Sequence, residues 1–554
     1  LGPYAMNTKR KGIRCTQQSL SITQSVSADS VRTSSMNYDA QGKLVTQVSA
    51  SGRIQKMWFS EMGQVARVQS GNLLPVEYNY DVRGRVVQAK QGNKQIQMAY
   101  DSANNLSSIK DALGRVSYFK YDKAGRLQTE QRPDGKIVRY QYDSNGNLVS
   151  LVPADRLAHV FSFDPNSELL NAYLPPLLPK NRSTPTRYEY NLDKQLTKVV
   201  QPDRLFEFNY DVNSGVLKSV VSGEARRDYL YSQENGQLVQ VKSQDNMQTD
   251  FQYVGPLLSQ VKNAGAVNSV INFSFNKDFL VSKRNIVGSN ADVNFGYDND
   301  SLLVKAGEMD IARDTQTGAI AGVNLGLTKE VLGYSNQGDL QSSQFLIKQK
   351  PFYEYKLERD VSGRIVAKSE IYGGKLKLKH AYAYDIQGRL VETKVNGIKK
   401  ASYKYDANGN RLSQDLFFFK GDDHYKYDAQ DRLISSGDSD YSYNLNGELI
   451  AKYDKKEKAK TEYSYDGFGN LKRVKITDEK KFGHRGHHHQ HKQSKVTEID
   501  YILDTQGRRI GKKVNGELKQ AFVYESDLGI AAELDGGGQV DLLPDVDPNT
   551  KRHI

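Results

Sequence analysis

Five histidines within eight residues form the densest set of potential metal ligands in the sequence: His484, His487, His488, His489 and His491. Imidazole nitrogens bind Zn²⁺ and Ni²⁺ readily. A structural metal site, however, needs fixed ligand spacing and supporting groups that orient each ring, and this stretch is rich in Gly and Lys and holds no Cys. We therefore interpret residues 477–495 as a loop or insertion, with metal binding as the alternative, and we expect no cofactor.

The other residues with catalytic potential do not form a recognisable motif. Cys15 is the only cysteine, so no disulfide forms within the chain, and no Cys-centred motif surrounds it. The Gly- and Lys-rich segment 373–379 lacks the spacing of a phosphate-binding loop. Four further histidines stand singly: His159, His380, His424 and His553. We predict that the chain is not an enzyme. A weaker alternative places an active site in an irregular segment, 174–181 or 305–330.

Many aspartates occupy one place in a repeated phrase, Tyr-Asp-x-x-Gly followed by Arg or Asn. A carboxylate that recurs in every unit indicates a backbone role rather than acid–base catalysis. Asp122 can accept hydrogen bonds from N–H groups two residues on and nucleate a turn. Gly125 supplies the positive φ of a type I turn with a G1 bulge, and Tyr121 can pair with Leu127 across the hairpin. The same roles are expected at Tyr80, Asp81, Gly84, Tyr142, Asp143, Gly146, Tyr384, Asp385, Gly388, Tyr405, Asp406, Gly409, Tyr465, Asp466 and Gly469.

The aromatic residue before each turn recurs every 20 to 22 residues, from Tyr80 to Phe163 and again from Tyr190 to Tyr297. This period fits two strands of six or seven residues plus two turns. Between turns, apolar and polar residues alternate, which is typical of strands with one covered face. We therefore predict an all-β protein of repeated antiparallel hairpins, about 21 residues each.

The composition agrees with many short strands and turns: the chain has 34 Tyr, 45 Gly, 14 Pro and one Trp. Its net charge of +12 permits contact with nucleic acid or another acidic surface. Lys and Arg are nevertheless spread along the whole chain, many directly after a turn glycine, so we favour a solvated repeat surface and disfavour nucleic acid. Tyrosines can also stack on sugars or bases, but their fixed place beside the turn favours rungs that face the core.

The repeat pattern predicts three regions, and no run of 18 apolar residues predicts a membrane span. Three prolines in 174–181 cannot continue a paired strand, so we expect this segment to leave the wall as a loop. Segment 255–258 is a second irregularity, repeats degenerate over 296–338, and 454–462 is expected to be a long hairpin tip. The regions are an N-terminal lead-in (1–35), the repeat shell (36–523) and a start of a core region with a tail predicted to be disordered (524–554).

Tyr-Asp-x-x-Gly-Arg-Leu recurring about every 21 residues resembles the RHS, or YD-repeat, family, and the resemblance covers roughly residues 36–540. It is most similar to the bacterial branch and to the YD shell of the teneurins. The resemblance implies one long sheet that spirals into part or all of a hollow shell. In bacterial polymorphic toxins and in the B and C components of toxin complexes, that shell encloses a C-terminal toxin released by aspartyl self-cleavage.

The family's self-cleaving core carries Asp-Pro-x-Gly, and no such sequence follows Glu533-Leu534-Asp535. We therefore expect neither self-cleavage nor a toxin domain in this chain. The resemblance predicts the structural shell of a secreted or surface-located bacterial RHS-type toxin. Its partners would be a toxin cargo, the remaining parts of the same RHS protein, or a secretion-system or toxin-complex component. The alternative is a surface adhesin that recognises glycans or a partner cell through the repeat surface.

Overall fold

The protein is known here from a computed structural model, which describes residues 19–27, 30–39, 43–178, 183–287, 292–417, 423–478, 495–525, 529–537, 540–542, 546–547 and 552–553. Within these ranges every regular element is a β-strand. The prediction of an all-β protein is confirmed.

The first 25 strands are β1 Ser19–Ser27, β2 Ser30–Tyr38, β3 Leu44–Val48, β4 Ile54–Phe59, β5 Val65–Ser70, β6 Val76–Tyr80, β7 Val86–Gln91, β8 Lys94–Tyr100, β9 Leu106–Lys110, β10 Val116–Tyr121, β11 Leu127–Gln131, β12 Ile137–Tyr142, β13 Leu148–Val152, β14 His159–Phe163, β15 Leu170–Leu174, β16 Thr186–Tyr190, β17 Leu196–Gln201, β18 Arg204–Tyr210, β19 Leu217–Ser222, β20 Ala225–Tyr231, β21 Leu238–Ser243, β22 Gln248–Val254, β23 Leu257–Ala264, β24 Ser269–Phe275 and β25 Val281–Ile286.

The remaining strands are β26 Asp292–Tyr297, β27 Leu303–Ala306, β28 Met309–Arg313, β29 Ile320–Leu325, β30 Thr328–Tyr334, β31 Leu340–Ile347, β32 Lys350–Arg359, β33 Ile365–Tyr372, β34 Leu376–Tyr384, β35 Leu390–Val395, β36 Ile398–Tyr405, β37 Arg411–Leu416, β38 Asp423–Tyr427, β39 Leu433–Ser436, β40 Ser439–Tyr443, β41 Leu449–Asp454, β42 Ala459–Tyr465, β43 Leu471–Asp478, β44 Lys495–Leu503, β45 Arg509–Val514, β46 Glu517–Tyr524, β47 Ile530–Leu534, β48 Val540–Leu542, β49 Val546–Asp547 and β50 Arg552–His553.

Strands β1 to β48 belong to one sheet, and each pairs antiparallel with the next strand in the chain. All ladder pairing is therefore local in sequence. The hairpin turns lie on two opposite edges of the ribbon. We call the edge that carries the Tyr-Asp-x-x-Gly turns the YD edge, and the other, which carries the alternate turns, the loop edge.

The ribbon coils, because turns far apart in sequence touch each other edge to edge. Arg53, in the turn between β3 and β4, pairs with Asp298 in the turn between β26 and β27. Arg156, between β13 and β14, pairs with Asp431 between β38 and β39. One ring of the spiral therefore takes 23 to 25 strands. We call β2–β24 the first ring and β25–β47 the second ring; the line where they meet is the seam.

The wall is one sheet thick over most of its area. The chain exposes 33922 Å² of surface, against about 20,000 Å² for a compact globular protein of this mass. Among the described residues, both faces are covered most completely at the end of the spiral. There Ala531 and Ala532, consecutive residues whose side chains point to opposite faces of β47, are both fully buried. Stability elsewhere must come from contacts within the sheet and along the seam.

The segments predicted to interrupt the repeats follow the sheet more closely than the sequence indicates. β15 ends at Leu174 as expected, but Pro176 does not leave the wall: it is fully buried, and its carbonyl accepts a 2.9 Å hydrogen bond from Gln430 across the seam. Residues 296–338 continue as hairpins β26 to β31 without a break. The charged segment at 454–462 forms a hairpin tip, but a short one, because Asp454 already pairs with Ala459.

Substituting a turn glycine tests directly whether the turn requires a positive φ. Gly409 has φ +93° and open space around the position of a Cβ, so Gly409→Ala tests conformation without a clash. We expect the substitution to destabilise the β36–β37 hairpin by about 1–2 kcal/mol. The measurement is the opening free energy of the β36 and β37 amides by hydrogen exchange, which resolves local stability in a repeat protein.

The matched control is Lys194→Gly. Lys194 occupies the equivalent turn position at φ +62° and its side chain is exposed, so glycine relieves backbone strain there and should not lower local stability. Equal exchange in wild type and Gly409→Ala would show that the positive φ is not what the hairpin requires.

Candidate functional site: the repeat turns and the seam

Each repeat turn is held by its aspartate and its glycine. In the turn at Asp81, the carboxylate Oδ1 accepts hydrogen bonds from the N–H groups of Arg83 at 2.9 Å and Arg85 at 3.0 Å. The Gly84 N–H donates to the Asp81 carbonyl at 3.0 Å. φ lies between +78° and +94° at Gly84, Gly125, Gly146, Gly388, Gly409 and Gly469. All six turns have the geometry of a type I turn with a G1 bulge.

Each turn tyrosine faces the residue that reopens the sheet after the turn, with a register shift at the tyrosine. The pairs include Tyr80 with Val86 and Tyr121 with Leu127; the others are Tyr142 with Leu148, Tyr384 with Leu390 and Tyr465 with Leu471. At Tyr405 the partner is Arg411, not the aliphatic Leu412. In each of these turns the tyrosine pairs with the sixth residue after it, and here that residue is arginine.

The tyrosine hydroxyls link each repeat to the one before it. Tyr100 donates to the carbonyl of Val86 at 2.8 Å, and Tyr405 donates to the carbonyl of Leu390 at 2.8 Å. The accepting carbonyl lies just after the preceding turn. A buried phenol normally requires such a partner, so the position selects Tyr over Phe wherever this bond forms.

Arginine after the turn glycine completes the link, which sequence reasoning missed when it treated these residues as a solvated surface. Arg389 binds Asp385 of its own turn at 2.7 Å. Its guanidinium also lies 5.0 Å from the ring centre of Tyr405, the next repeat's tyrosine. The same double contact occurs at Arg85, Arg126, Arg364, Arg432 and Arg508. The sequence signal available for this contact was the near-constant spacing from one turn to the next.

These contacts favour the ionised form of Asp81 and Asp143. The side-chain hydrogen bond from Arg85 is the largest influence on Asp81 and lowers its pKa below the ordinary value. Where Asn replaces Arg, the effect persists: the side-chain hydrogen bond from Asn147 lowers the pKa of Asp143. A carboxylate held in this way serves as an acceptor for its own turn, not as a proton donor to a substrate.

Along the seam, the loop edge of the first ring meets the YD edge of the second. Charged contacts are mostly basic on the first ring and acidic on the second, as in Arg204 with Glu448 at 2.7 Å and Lys94 with Asp339. Backbone groups also take part: the N–H of Leu74 donates to the carbonyl of Asn336 at 2.7 Å. The YD turns therefore close the hairpins and also join the rings.

Amide side chains take part in several turns that form the seam. Gln430 donates across the seam to Pro176, and Asn446 accepts from the N–H of Asp203 at 3.0 Å. The same turn position also holds an amide in the first ring, at Asn145, Asn166 and Asn213. This position therefore does not distinguish the seam turns in the sequence.

The seam ends in a buried ion pair and the largest apolar cluster described. Arg284 in β25 pairs with Glu525 after β46, and both side chains are almost fully buried. The cluster brings Met247, Ile271 and Ile286 of the early strands against residues of β45 to β47, which are Ile510, Ala521, Val523, Ala531, Ala532 and Leu534. β46 runs through residue 523 and pairs with β47, so the sheet continues into the region predicted as 524–554.

One polar cluster departs from the repeat pattern. Glu370 on β33 is buried and receives hydrogen bonds from Tyr353 and, at 2.7 Å, from His380; Lys368 is its ion partner. Burial alone would raise the pKa of Glu370, but the hydrogen bonds from Lys368, Tyr353 and His380 outweigh it and lower the pKa to about 2. Burial and the Glu370 contact raise the pKa of Tyr353 to about 12.

The predicted histidine cluster, His484 to His491, lies outside the described residues, as do Cys15 and the tail beyond 553. Among the residues that are described, no group of three or more His, Cys, Asp or Glu is placed to hold a metal ion. The same part of the chain contains no helix of the length and apolarity needed to span a bilayer. Cavities of about 390 to 650 Å³ lie along the seam, between residues of the two rings.

A spiral wall of linked hairpins with Tyr-Asp turns defines a class of shell proteins. Comparison with known proteins agrees with this assignment. The sequence matches the Teneurin YD-shell family over residues 5–532. The chain belongs to this family, and the resemblance read from the turns is confirmed. It is 23% identical to Teneurin-3 of Mus musculus over 235 residues, which is 40% of this chain and 8% of that protein.

Solved structures with a similar fold are bacterial toxin-complex proteins. The crystal structure of TcdB2-TccC3-TEV is 11% identical with a TM-score of 0.59, over 96% of this chain and 35% of the other. The Tc holotoxin pore of Photorhabdus luminescens, carrying a TccC3 mutation, is 12% identical with a TM-score of 0.56, over 96% of this chain and 34% of the other. Identities this low show the fold alone. This chain spans about a third of these structures and less than a tenth of Teneurin-3.

The arginine link can be tested with Arg389→Lys, which keeps the charge but loses the planar fork that binds Asp385 and covers Tyr405. We expect the β34–β37 region to lose about 1–2 kcal/mol of local stability, measured by hydrogen exchange. Arg139→Lys is the control, because Arg139 is exposed on β12 and should change stability by less than about 0.5 kcal/mol. Equal losses for the two variants would contradict a specific role for the fork.

The Glu370 cluster predicts a defined pH dependence. The pKa of Glu370 is lowered from 4.5 to about 2, so its stabilisation is present above pH 4.5 and is lost as the pH falls toward 2. Glu370→Gln should lower the Tm at pH 7 and lose less further stability than wild type between pH 4.5 and 2, measured by thermal unfolding. Glu358→Gln, at an exposed position of β32, should follow the wild-type curve. Parallel curves for wild type and Glu370→Gln would refute the assignment.

Proposed function

We propose that this chain is the structural wall of a container that encloses another polypeptide and does no chemistry of its own. The observation that carries the proposal is the seam, because it joins successive turns of the spiral ribbon edge to edge. With 23 to 25 strands spaced about 4.8 Å apart, one ring has a perimeter of roughly 115 Å and a diameter of about 35 Å. Such a ring is wide enough for a polypeptide but has no room for a large folded domain beside the inward side chains.

The cargo we propose is a toxin, and the setting is a secreted or surface-located bacterial RHS-type protein. The similar structures are named as toxin-complex proteins containing TccC3, which supports a toxin cargo and a toxin-complex partner. The division into lead-in (1–35), shell (36–523) and core start with tail (524–554) is part of the proposal. So is the turn-forming role of the repeated Tyr, Asp and Gly residues.

The burial and the hydrogen bonding of the turn tyrosines favour the container over a glycan-binding adhesin. A sugar-binding surface needs exposed aromatic faces. Most turn tyrosines are instead half-buried, many of their hydroxyls are bonded to backbone carbonyls, and several of their rings are covered by arginine, as at Tyr100 and Tyr405. The hairpins of 305–330 and the buried Pro176, which belong to the segments considered for an alternative active site, are likewise built into the wall.

The proposal is tested by protease protection of a flexible, trypsin-sensitive reporter fused after Ile554. We expect the fused reporter to be cleaved at least ten times more slowly than the same reporter free in solution. The seam variant Arg156→Ala/Arg204→Ala, which breaks contacts with Asp431 and Glu448, should restore fast cleavage, because the rings separate.

Arg226→Ala is the matched control. Its partner Asp228 lies two residues away on the same strand, and both side chains are about half exposed, so the seam stays intact and protection should persist. Circular dichroism checks that each variant retains its strands. Cleavage of the fused reporter at the free rate in the wild-type protein would overturn the container.

A further inference from the structure

Three neighbouring hairpins on the free loop edge of the second ring carry exposed apolar side chains at their tips. The hairpins are β29–β30, β31–β32 and β33–β34. Their apolar residues are Leu327, Ile347, Phe352, Tyr372 and Leu376, which are 64%, 38%, 53%, 38% and 56% exposed. Exposed apolar groups that stand together mark interaction sites on protein surfaces. We call these five residues the tip row.

The pairing register of the strands places the three tips side by side. Thr328 at the first tip pairs with Ile347 at the second. Tyr353 on β32 pairs with Tyr372 on β33, and the centres of the two rings lie 4.7 Å apart. Tyr372 in turn pairs with Leu376 across the third tip. The tips therefore stand next to one another and form one row along the rim of the wall.

The same tips are basic. The segments 325–329, 345–352 and 371–379 contain six lysines and no acidic residue. Five of these lysines are exposed: Lys348, Lys350, Lys375, Lys377 and Lys379. None of the five forms an ion pair with another residue that the structure describes, whereas exposed lysines elsewhere in the second ring, such as Lys305 and Lys455, pair with acidic neighbours. The tips thus present positive charge that the chain itself leaves uncompensated.

The tip row has defined ends. On one side, the β27–β28 tip holds Glu308 and no exposed large apolar residue. On the other side, the β35–β36 tip carries Ile398 but is set back from the rim. Val395 at that tip pairs with His380, which lies further down β34 than Leu376 does. Lysines and apolar side chains therefore protrude together only at the three neighbouring hairpins.

We propose that the tip row docks the shell on an anionic lipid surface. Apolar side chains flanked by lysines are typical of protein surfaces that lie on a bilayer. The apolar groups enter the boundary between headgroups and acyl chains, and the lysines contact the phosphate and carboxylate groups of the lipids. The turn backbone stays among the headgroups, because unpaired N–H and C=O groups are costly in hydrocarbon. Insertion is therefore shallow and limited to side chains.

Lipid fits the tip row better than other partners do. Nucleic acid would pair with the lysines, but it is recognised chiefly through polar contacts to phosphates and base edges, so Leu327 and Leu376 would stay uncovered. A second copy docked tip to tip would bring unpaired lysines of the same sign together. The inference goes beyond the container and does not rest on it.

The test is co-sedimentation of the whole chain with phosphatidylcholine–phosphatidylserine vesicles and with vesicles of phosphatidylcholine alone. We expect the wild-type protein to bind the anionic vesicles about tenfold more tightly than the neutral ones, because each lysine near the surface adds to the attraction. Leu327→Ser/Phe352→Ser/Leu376→Ser should weaken binding to the anionic vesicles about tenfold. Lys348→Gln/Lys350→Gln/Lys375→Gln/Lys377→Gln should remove the preference for the anionic vesicles.

The matched control for the apolar variant is Val82→Ser/Leu192→Ser/Val212→Ser. These residues are almost fully exposed at turn tips on the opposite free edge, beside aspartates rather than lysines, so the control should bind vesicles like wild type. The control for the charge variant replaces four lysines that already have acidic partners: Lys283, Lys305, Lys455 and Lys460, each by Gln. It has the same net charge as the charge variant and should keep the preference for anionic vesicles.

Insertion itself is read from tryptophan fluorescence in a Trp58→Phe background, which removes the only native tryptophan. Leu376→Trp should shift its emission to shorter wavelengths when anionic vesicles are added, because the indole leaves water. Val212→Trp, on the opposite edge, should show no shift. Circular dichroism and the thermal midpoint verify that every variant folds.

Four results would overturn the lipid assignment: no binding to anionic vesicles, wild-type binding by the apolar variant, an equal loss in its control, or no emission shift at position 376. A dimer in sedimentation velocity that depends on the tip row would reassign the surface to a second copy. Binding of polyglutamate without binding of vesicles would reassign it to an acidic polypeptide. Reporter protection depends on the seam, so it stands or falls separately from vesicle binding.

Discussion

The structure depends on the contacts that join one turn to the next. The turn tyrosine donates a hydrogen bond to a backbone carbonyl of the preceding repeat. The arginine after the turn glycine binds the aspartate of its own turn and covers the tyrosine ring of the next. A single-layer sheet has no opposing layer to bury its faces, so hydrophobic burial alone cannot hold it. The contacts place polar and aromatic groups where a second layer would otherwise be needed. Because they recur at a near-constant interval, they also give neighbouring hairpins the same relative orientation, which a regular spiral requires.

The seam solves a different problem. A long ribbon presents two rows of hairpin turns to solvent, and without lateral contacts each hairpin can open almost independently. Stacking the YD edge of one ring on the loop edge of the previous ring makes residues about 250 positions apart depend on each other, as Thr249 and Thr505 do through their buried hydroxyls at 2.7 Å. The same aspartyl turns that shape the hairpin thereby supply the acidic side of the joint.

The two free edges differ in the build of their hairpins. First-ring YD turns expose Val82, Leu192 and Val212 almost completely. The free loop edge of the second ring instead carries longer hairpins, at β31 to β34.

The sequence alone determined the local structure. The phrase around Asp122 and Gly125 predicts the turn because its hydrogen bonds and its positive φ need only residues within the phrase, and the 21-residue spacing predicts the hairpin. The family followed from the same phrase. Tertiary structure alone decided where one ring meets the next and that Pro176 lies buried in the seam. These features depend on the curvature of the sheet added up over more than 20 strands. Each strand contributes only a small angle, so no local sequence pattern predicts the total.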